Sequence, residues 1–394
     1  MKISVLYNQA TLVKKGRQED LVCEQEILII APIVADILRD LGHEVTLMLA
    51  GLELWNDLRQ KRNEIDIVFN LAEGFGGENS NELFVPAMLE ALDIPFTGPG
   101  FRTYVFAYDK WKTATILGTF GIRHPSARLF YPGGEITSLE VTFPAIVKPV
   151  HEDASLGITY DSVVTNSTDL ANRIKRVHKL YRQAALVEEF IAGREISVGC
   201  MGNGSHVHVF PPLEFVFDQT VPLERRIRSY EYKWSGHKED MRRAELGIKE
   251  IDAFTHYTRI AFRVLDCHEY ARVDYRLVES GDIYLLEVNC NPGIGPNTHG
   301  LNNTLTMMAS FDGYTFEDLI AKILNLTRVR YGIFYVKQAI CGYLSFLSIT
   351  KPKTLFFCQR IRKLMIWFLS VRRMTPEVGS SSFYFTLSSF GLRF

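Results

Sequence analysis

The chain has 394 residues, 47% of them hydrophobic, and a formal net charge of -1. That length suits two or three domains, and a charge so near zero argues against a nucleic-acid binder that relies on a broad basic face. Six scattered cysteines (Cys23, Cys200, Cys267, Cys290, Cys341 and Cys358) form no C-x-x-C pair, which fits reduced thiols better than a disulfide framework or a zinc site. The opening MKISVLYNQ reads as a strand and lacks the long apolar run of a signal peptide, so the expected location is the cytoplasm.

Lys2 to Tyr7 reads as a buried strand. Cys23 to Leu41 carries Ile27, Ile30, Ile33, Val34, Ile37, Leu38 and Leu41 at helical spacing, with Gly42 where a helix ends. His43 to Leu49 is a second strand, Glu53 to Arg62 a helix and Ile65 to Asn70 a third strand. This alternation predicts a parallel α/β sheet, with ligands at the strand ends, where EGFGGE (residues 73–78) lies. PFTGPG (95–100) closes the unit. One helix is expected from Ala107 to Phe120. An α+β segment follows, with a strand over Phe143 to Lys148, a helix over Asp169 to Tyr181 and a strand over Ala185 to Phe190. Then come strands at Glu195 to Met201 and His206 to Phe210, a charged loop from Glu224 to Asp240, a helix from Ile248 to Leu265, and strands at Ala271 to Val278 and Asp282 to Asn289.

After Arg330 the chain changes character. Nine Lys or Arg stand against one acid, Glu377, among many aromatics. Leu355 to Leu369 places Arg360, Arg362 and Lys363 between apolar blocks. A basic helix lying on a membrane surface fits that pattern; an appendage packed on the body or on a partner is favoured over it.

The strongest chemical signal is YLLEVNCNPG, residues 284–293. Side chains two apart on a strand face the same way, so Glu287 and Asn289 project together. Asp274, on the strand before, joins them if the two strands form a hairpin. Two carboxylates and an amide oxygen make a hard oxygen site, suited to magnesium bridging nucleotide phosphates. Acids embedded in otherwise apolar strands are costly unless neutralised. Arg272 shares the face of Asp274. It can stabilise charge on a phosphoryl or tetrahedral oxygen, form an internal ion pair, or do both. In FPAIVKP (143–149) Lys148 ends an apolar strand, and the loop after it, VHEDASLG (150–157), ends in small residues whose backbone N–H groups can approach phosphates. In VEEFIAGREI (187–196) a strand runs into a turn at Gly193 and back into a strand, a hinge that can offer backbone groups to a purine edge, with Glu195 placed for ribose hydroxyls.

These three segments in this order resemble the D-alanine–D-alanine ligase family of ATP-grasp enzymes. DIVFNLAEG (66–74), the following GGE, IPFTG (94–98) and Asp109-Lys110 extend the match, which covers roughly residues 1–326. The resemblance implies a three-domain ATP-grasp fold, α/β with α+β in the lid: an N-terminal Rossmann-like domain (1–106), a central lid (107–190), a C-terminal domain with the metal site (191–328) and the basic tail (329–394). It implies ATP and two magnesium ions, with manganese an alternative, amino-acid substrates, a cytoplasmic homodimer and a place in peptidoglycan and cell-wall biosynthesis. Lys110 and Lys148 match phosphate-binding lysines, and Ser155 lies in the phosphate loop. Glu188 and Ile191 match adenine contacts, Glu195 the ribose ligand, and Asp274, Glu287 and Asn289 the metal ligands. Arg272 matches the arginine near the acyl-phosphate, Lys233 a lysine reaching the γ-phosphate, and Gly293 the backbone of the oxyanion site. Glu24 is the candidate for the family's substrate-binding glutamate.

Several positions depart from the family pattern. Ala154 stands at a loop serine position, Trp234 at a tyrosine, Glu73 where histidine is common, Asp153 at a loop glycine and Thr298 at a serine. Glu73, Trp234 and Thr298 are candidate substrate contacts. The departures leave two other readings open: a ligase for a different acid or amine, and a non-catalytic nucleotide-binding protein anchored by its tail.

Overall fold

The computed structural model describes residues 1–10, 14–17, 26–136, 141–234, 240–295 and 303–333. Residues 334–394 of the basic tail, Glu24 and Thr298 lie outside them, as does the side chain of Trp234.

β1 (Lys2–Asn8), α1 (Glu26–Asp40), β2 (Glu44–Ala50), α2 (Leu54–Lys61) and β3 (Ile67–Asn70) form the expected βαβ unit, with all strands parallel in the order β2-β1-β3. The apolar stripe of α1 buries Ile27, Ile30, Val34, Ile37 and Leu38 against Ile3, Val5, Ile67 and Phe69. Gly42, at φ +83, supplies the left-handed turn that lets the chain leave α1 for β2. α3 (Phe84–Ala91) was not expected, because its eight residues carry a proline and no clear cap.

The single helix expected over Ala107 to Phe120 is two, α4 (Phe101–Ala107) and α5 (Lys110–Gly118). Asp109 takes an extended conformation and its side chain accepts from the Lys112 amide, so it caps a new helix. The break makes Lys110 the first residue of α5, and its amide donates to the Val150 carbonyl (3.2 Å). His151 Nε2 lies 3.2 Å from Asp109 Oδ2, a second tie between this break and the loop after β5.

β4 (Ala127–Phe130), β5 (Ala145–Pro149), β6 (Val163–Val164), α6 (Ser167–Tyr181) and β7 (Ala185–Glu189) make an antiparallel four-stranded sheet, ordered β4-β7-β5-β6. α6 covers it with Leu170, Ile174 and Val177. β8 (Arg194–Asn203), β9 (His206–Val209), β10 (Leu213–Phe215), α7 (Tyr230–Trp234), β11 (Met241–Arg243), α8 (Ile248–Val264), β12 (Glu269–Leu277), β13 (Ile283–Asn289), α9 (Thr304–Phe311) and α10 (Phe316–Arg330) complete the described chain. The six-stranded sheet runs β11-β10-β8-β12-β13, with β9 on β8. The expected loop at 224–240 thus contains a short helix, α7. β7 and β8 do not fold back on each other, because they belong to different sheets joined at Gly193. A Cβ at Gly193 would collide with the Leu277 carbonyl oxygen, so the crossing needs a residue without one.

α8 packs Phe254, Ala261 and Phe262 on one face of the six-stranded sheet. α9 and α10 return to the N-terminal α1, sharing Leu305, Met308, Leu319, Ile320 and Ile323 with its core. Arg330 at the end of α10 donates to the Gly98 carbonyl (3.2 Å) and the Phe96 carbonyl and pairs with the fully buried Glu269 (3.1 Å). This clasp ties the PFTGPG turn to the C-terminal sheet. Among the described residues no helix is long and apolar enough to cross a membrane.

Candidate active site

Three adjacent strands build one charged face. Along β12, Ala271, Val273, Tyr275 and Leu277 enter the core under α8, and Arg272, Asp274 and Arg276 take the other face. The antiparallel register sets Asp274 between Ser197 on β8 and Glu287 on β13, Arg272 between Gly199 and Asn289, and Arg276 opposite Glu195. The expected hairpin of acids therefore exists.

β13 also holds a bulge. Its register shifts between Asp274 and Tyr275, so that Glu287 faces Asp274 while Leu285 faces Tyr275. Its core face accordingly reads Ile283, Leu285, Val288. Strict alternation from Leu285 would send Glu287 into the core; the extra residue, Leu286, turns it toward the cleft.

Every charge on this face is neutralised. Arg272 grips Asp274 through Nε (3.0 Å) and Nη2 (2.9 Å), and Ser197 donates to the same carboxylate. Arg272 is therefore an ion-pair partner of Asp274, and it also lines the cleft. Lys110 Nζ sits 2.9 Å from Glu287 and 3.1 Å from Asp153. Burial opposes ionisation of Glu287, but the Lys110 and Arg272 charges outweigh it and hold the carboxyl below its ordinary value. Burial likewise works against a charged Lys110, and the two carboxylates override it. Lys148 pairs with Glu188 (2.6 Å), and Arg276 with Glu195 (2.8 Å).

These groups line one cleft, shared by Lys148, Glu188, Glu195, Arg272, Asp274, Glu287 and Asn289. Phe190 and Ile191 border it from the crossing between the sheets and Lys233 from α7, and Glu73 and Gly293 lie close to each other in its lining. The loop after β5 contributes Ala154 and Ser155, both left-handed (φ 52 and 63) and neither glycine. Such a backbone persists only where its surroundings enforce it; the Ser155 hydroxyl donates to the Arg228 carbonyl (2.8 Å) and pins it.

The structure thus brings together fourteen of the sixteen expected site residues at least by backbone, counting Lys110 through its ion pairs and Trp234 by its place on α7, and leaves Glu24 and Thr298 undescribed. Sequence reasoning missed Glu82, Tyr104, Glu152, Arg276 and Asn291, which also line the cleft or its wall. Arg276 had a signal, two residues beyond Asp274 on the same alternation. Glu82 had none, lying in an irregular turn before α3.

The metal-ligand chemistry fits the donor set. Asp274, Glu287 and Asn289 are oxygen donors on one edge of the hairpin, and Glu287 is bracketed by Lys110 and, at 4.0 Å, Arg272, which keep it ionised. Among the described residues no three His, Cys, Asp or Glu form a metal cage, and the expected trio has only two carboxylates.

Two expectations arise here. Asp153 is one of two carboxylates holding Lys110, so Asp153→Asn should loosen that ammonium toward phosphate and lower the KM for ATP about 3- to 10-fold. The gain is small because the Asp153 side chain is 40% exposed and screened. An unchanged or higher KM would show that the pair does not compete with nucleotide.

The second concerns pH. Burial pushes Glu82 up to about 8, and Glu152 and Glu269 up to about 7. A carboxyl raised in the folded state contributes stability that is complete below its unfolded value and is lost as pH climbs through its folded value. The ligand-free protein should therefore melt lower at pH 8.5 than at pH 6, and Glu82→Gln should flatten that slope; a melting temperature that rises over this interval would contradict it.

The family model "D-ala D-ala ligase C-terminus" matches residues 135–325. The chain is 33% identical over 310 residues to an uncharacterized protein of Sinorhizobium fredii, covering 77% of this chain and 88% of that one. It is 33% identical over 280 residues to the D-alanine–D-alanine ligase of Carboxydothermus hydrogenoformans (68% and 82% covered) and 32% identical over 300 residues to that of Aquifex aeolicus (74% and 92% covered). The fold is similar to the crystal structure of D-alanine–D-alanine ligase from Bacillus anthracis complexed with ATP, with a TM-score of 0.66 at 20% identity, covering 84% of this chain and 99% of that one. With these relatives aligned over most of their own length, the chain belongs to the D-alanine–D-alanine ligase family of ATP-dependent ligases.

Proposed function

We propose that this protein joins the carboxylate of one small amino acid to the amine of another, using ATP and magnesium, with D-alanine as the first substrate to test on both sides. The observation that carries the reading is the convergence of Lys148, Arg272, Asp274 and Glu287 on one cleft, with Lys110 salt-bridged to Glu287 at its wall. In this reading a carboxylate oxygen attacks the γ-phosphorus of ATP, ADP leaves, and an acyl-phosphate forms. The amine nitrogen then attacks the acyl carbon, and phosphate departs with the C–O bond electrons. Lys110 and Lys148 hold phosphate oxygens, Arg272 steadies the charge on the acyl oxygen and the Gly293 backbone faces it. Magnesium held by Asp274, Glu287 and Asn289 would neutralise phosphate charge. Glu188 and Ile191 take the adenine edge and Glu195 the ribose.

A second reading, a ligase for another acid or amine, is favoured by Glu73, an acid beside Gly293 in the cleft. The test is ADP release by the full chain with magnesium and ATP across D- and L-amino acids and other small acids and amines. Stimulation by D-alanine with dipeptide formed supports the first reading, and stimulation by another pair supports the second. No stimulation by any pair would overturn both.

A further inference from the structure

Glu82 is a cleft-lining carboxyl only 8% exposed. Tyr104 Oη (2.7 Å) and Asn291 Nδ2 (2.8 Å) both donate to its Oε1. Asn291 Oδ1 accepts from Tyr270 Oη (2.8 Å). The Asn291 backbone N–H in turn donates to Asn289 Oδ1 (3.1 Å). The network fixes Glu82 two hydrogen bonds away from Asn289. No hydrogen bond or ion pair from a described residue reaches Oε2.

Oε2 is not among the buried side-chain atoms left without a partner, so it opens on the cleft and is free to meet water or a ligand there. Tyr104 and Asn291 need only one acceptor, which an amide would supply equally well. What Oε2 adds is an anionic acceptor at the cleft wall. A second acid stands nearby: a Cβ on Gly293 would lie 3.8 Å from Glu73 Oε1, and the Glu73 charge is felt at Glu82. Two carboxyls thus stand at one corner of the cleft.

We propose that Glu82 receives the amino group of the amine substrate, its Oε2 accepting an N–H and holding the nitrogen toward the acyl carbon at Gly293. This rests on the ligase reading and names the group that recognises its second substrate. The ammonium arrives charged and must shed a proton to attack. That proton passes to Oε2, the nitrogen lone pair forms the C–N bond, and the acyl C–O bond breaks to release phosphate, which carries away the second N–H proton. Burial raises the proton affinity of Glu82, and the charge of the arriving ammonium opposes that effect and favours the carboxylate, which can then take the proton.

The experiment is Glu82→Gln in the full chain, with the substrate pair that the wild type uses. Glutamine keeps the oxygen that Tyr104 and Asn291 need and replaces Oε2 with an N–H donor. The KM for the amine should rise about 10- to 100-fold, the value of a charged hydrogen bond, with the KM values for ATP and the acid unchanged. Hydroxylamine, uncharged at neutral pH, should trap the acyl-phosphate equally well in both proteins. An unchanged amine KM, or equal loss with amine and hydroxylamine, would overturn the inference. Should Glu82→Gln fail to fold, Glu82→Asp keeps the charge and retracts it by one methylene; it should raise the amine KM less and leave trapping intact, and loss of both reactions together would sink the idea. If the wild type yields neither ADP nor hydroxamate with any acid, the ligase reading itself falls, and this inference with it.

Discussion

Glu287→Gln should cut ATP-driven turnover about a thousandfold while leaving the fold intact, comparable to or above the loss of a single electrostatic contact in a preorganised site. The glutamine keeps the shape and can still accept from Lys110. It gives up the charge that faces Asp274 across the hairpin and that the bulge at Leu286 turns into the cleft. Lys110 would then rely on Asp153 alone for a counter-charge. ADP release and a thermal melt on the same preparation check this. Unchanged turnover would remove Glu287 from the reacting centre, and a collapsed melt would recast it as a structural partner of Lys110.

Arg276→Met should cost about 3–5 kcal/mol of stability, because it strands a buried charge. Arg276 is 4% exposed and Glu195 6%. Burial pushes the Glu195 carboxyl up and the Arg276 guanidinium down, and each partner's charge resists the shift of the other. The same guanidinium donates to the carbonyls of Gly193 (3.0 Å) and Arg226 (3.1 Å). It thereby fastens the crossing between the two sheets, the segment leading to α7 and the proposed ribose ligand to one strand. Urea unfolding should show the loss, and the KM for ATP should rise in the same variant through Glu195. A variant as stable as the wild type would mean that Glu195 is hydrated when the guanidinium is gone.

Much of the fold was legible because the signals were local. The stripe of α1, the parallel unit β1–α1–β2–α2–β3 and the strands β5, β7, β12 and β13 follow from periodicity, and their ends fell within a few residues of expectation. The misses have physical causes. The single helix over 107–120 failed because one side chain, Asp109, caps the Lys112 amide and starts a new helix instead of continuing the turn. β10 and β11 are three residues each and exist only through pairing with β8 and with each other. α7 is a five-residue helix within a stretch whose charge read as loop.

The residue types of the cleft, their order along the chain and the family they resemble were determined by the sequence alone, since acids and lysines at the ends of apolar strands are a local and costly pattern. Their partners were not. That Arg272 grips Asp274, that Lys110 crosses from α5 to Glu287, that a bulge turns Glu287 outward and that Glu82 joins the wall through Tyr104 and Asn291 are contacts between residues far apart in the chain. Each depends on sheet register and on which charges lose their water together, and those energies exist only once the strands have paired.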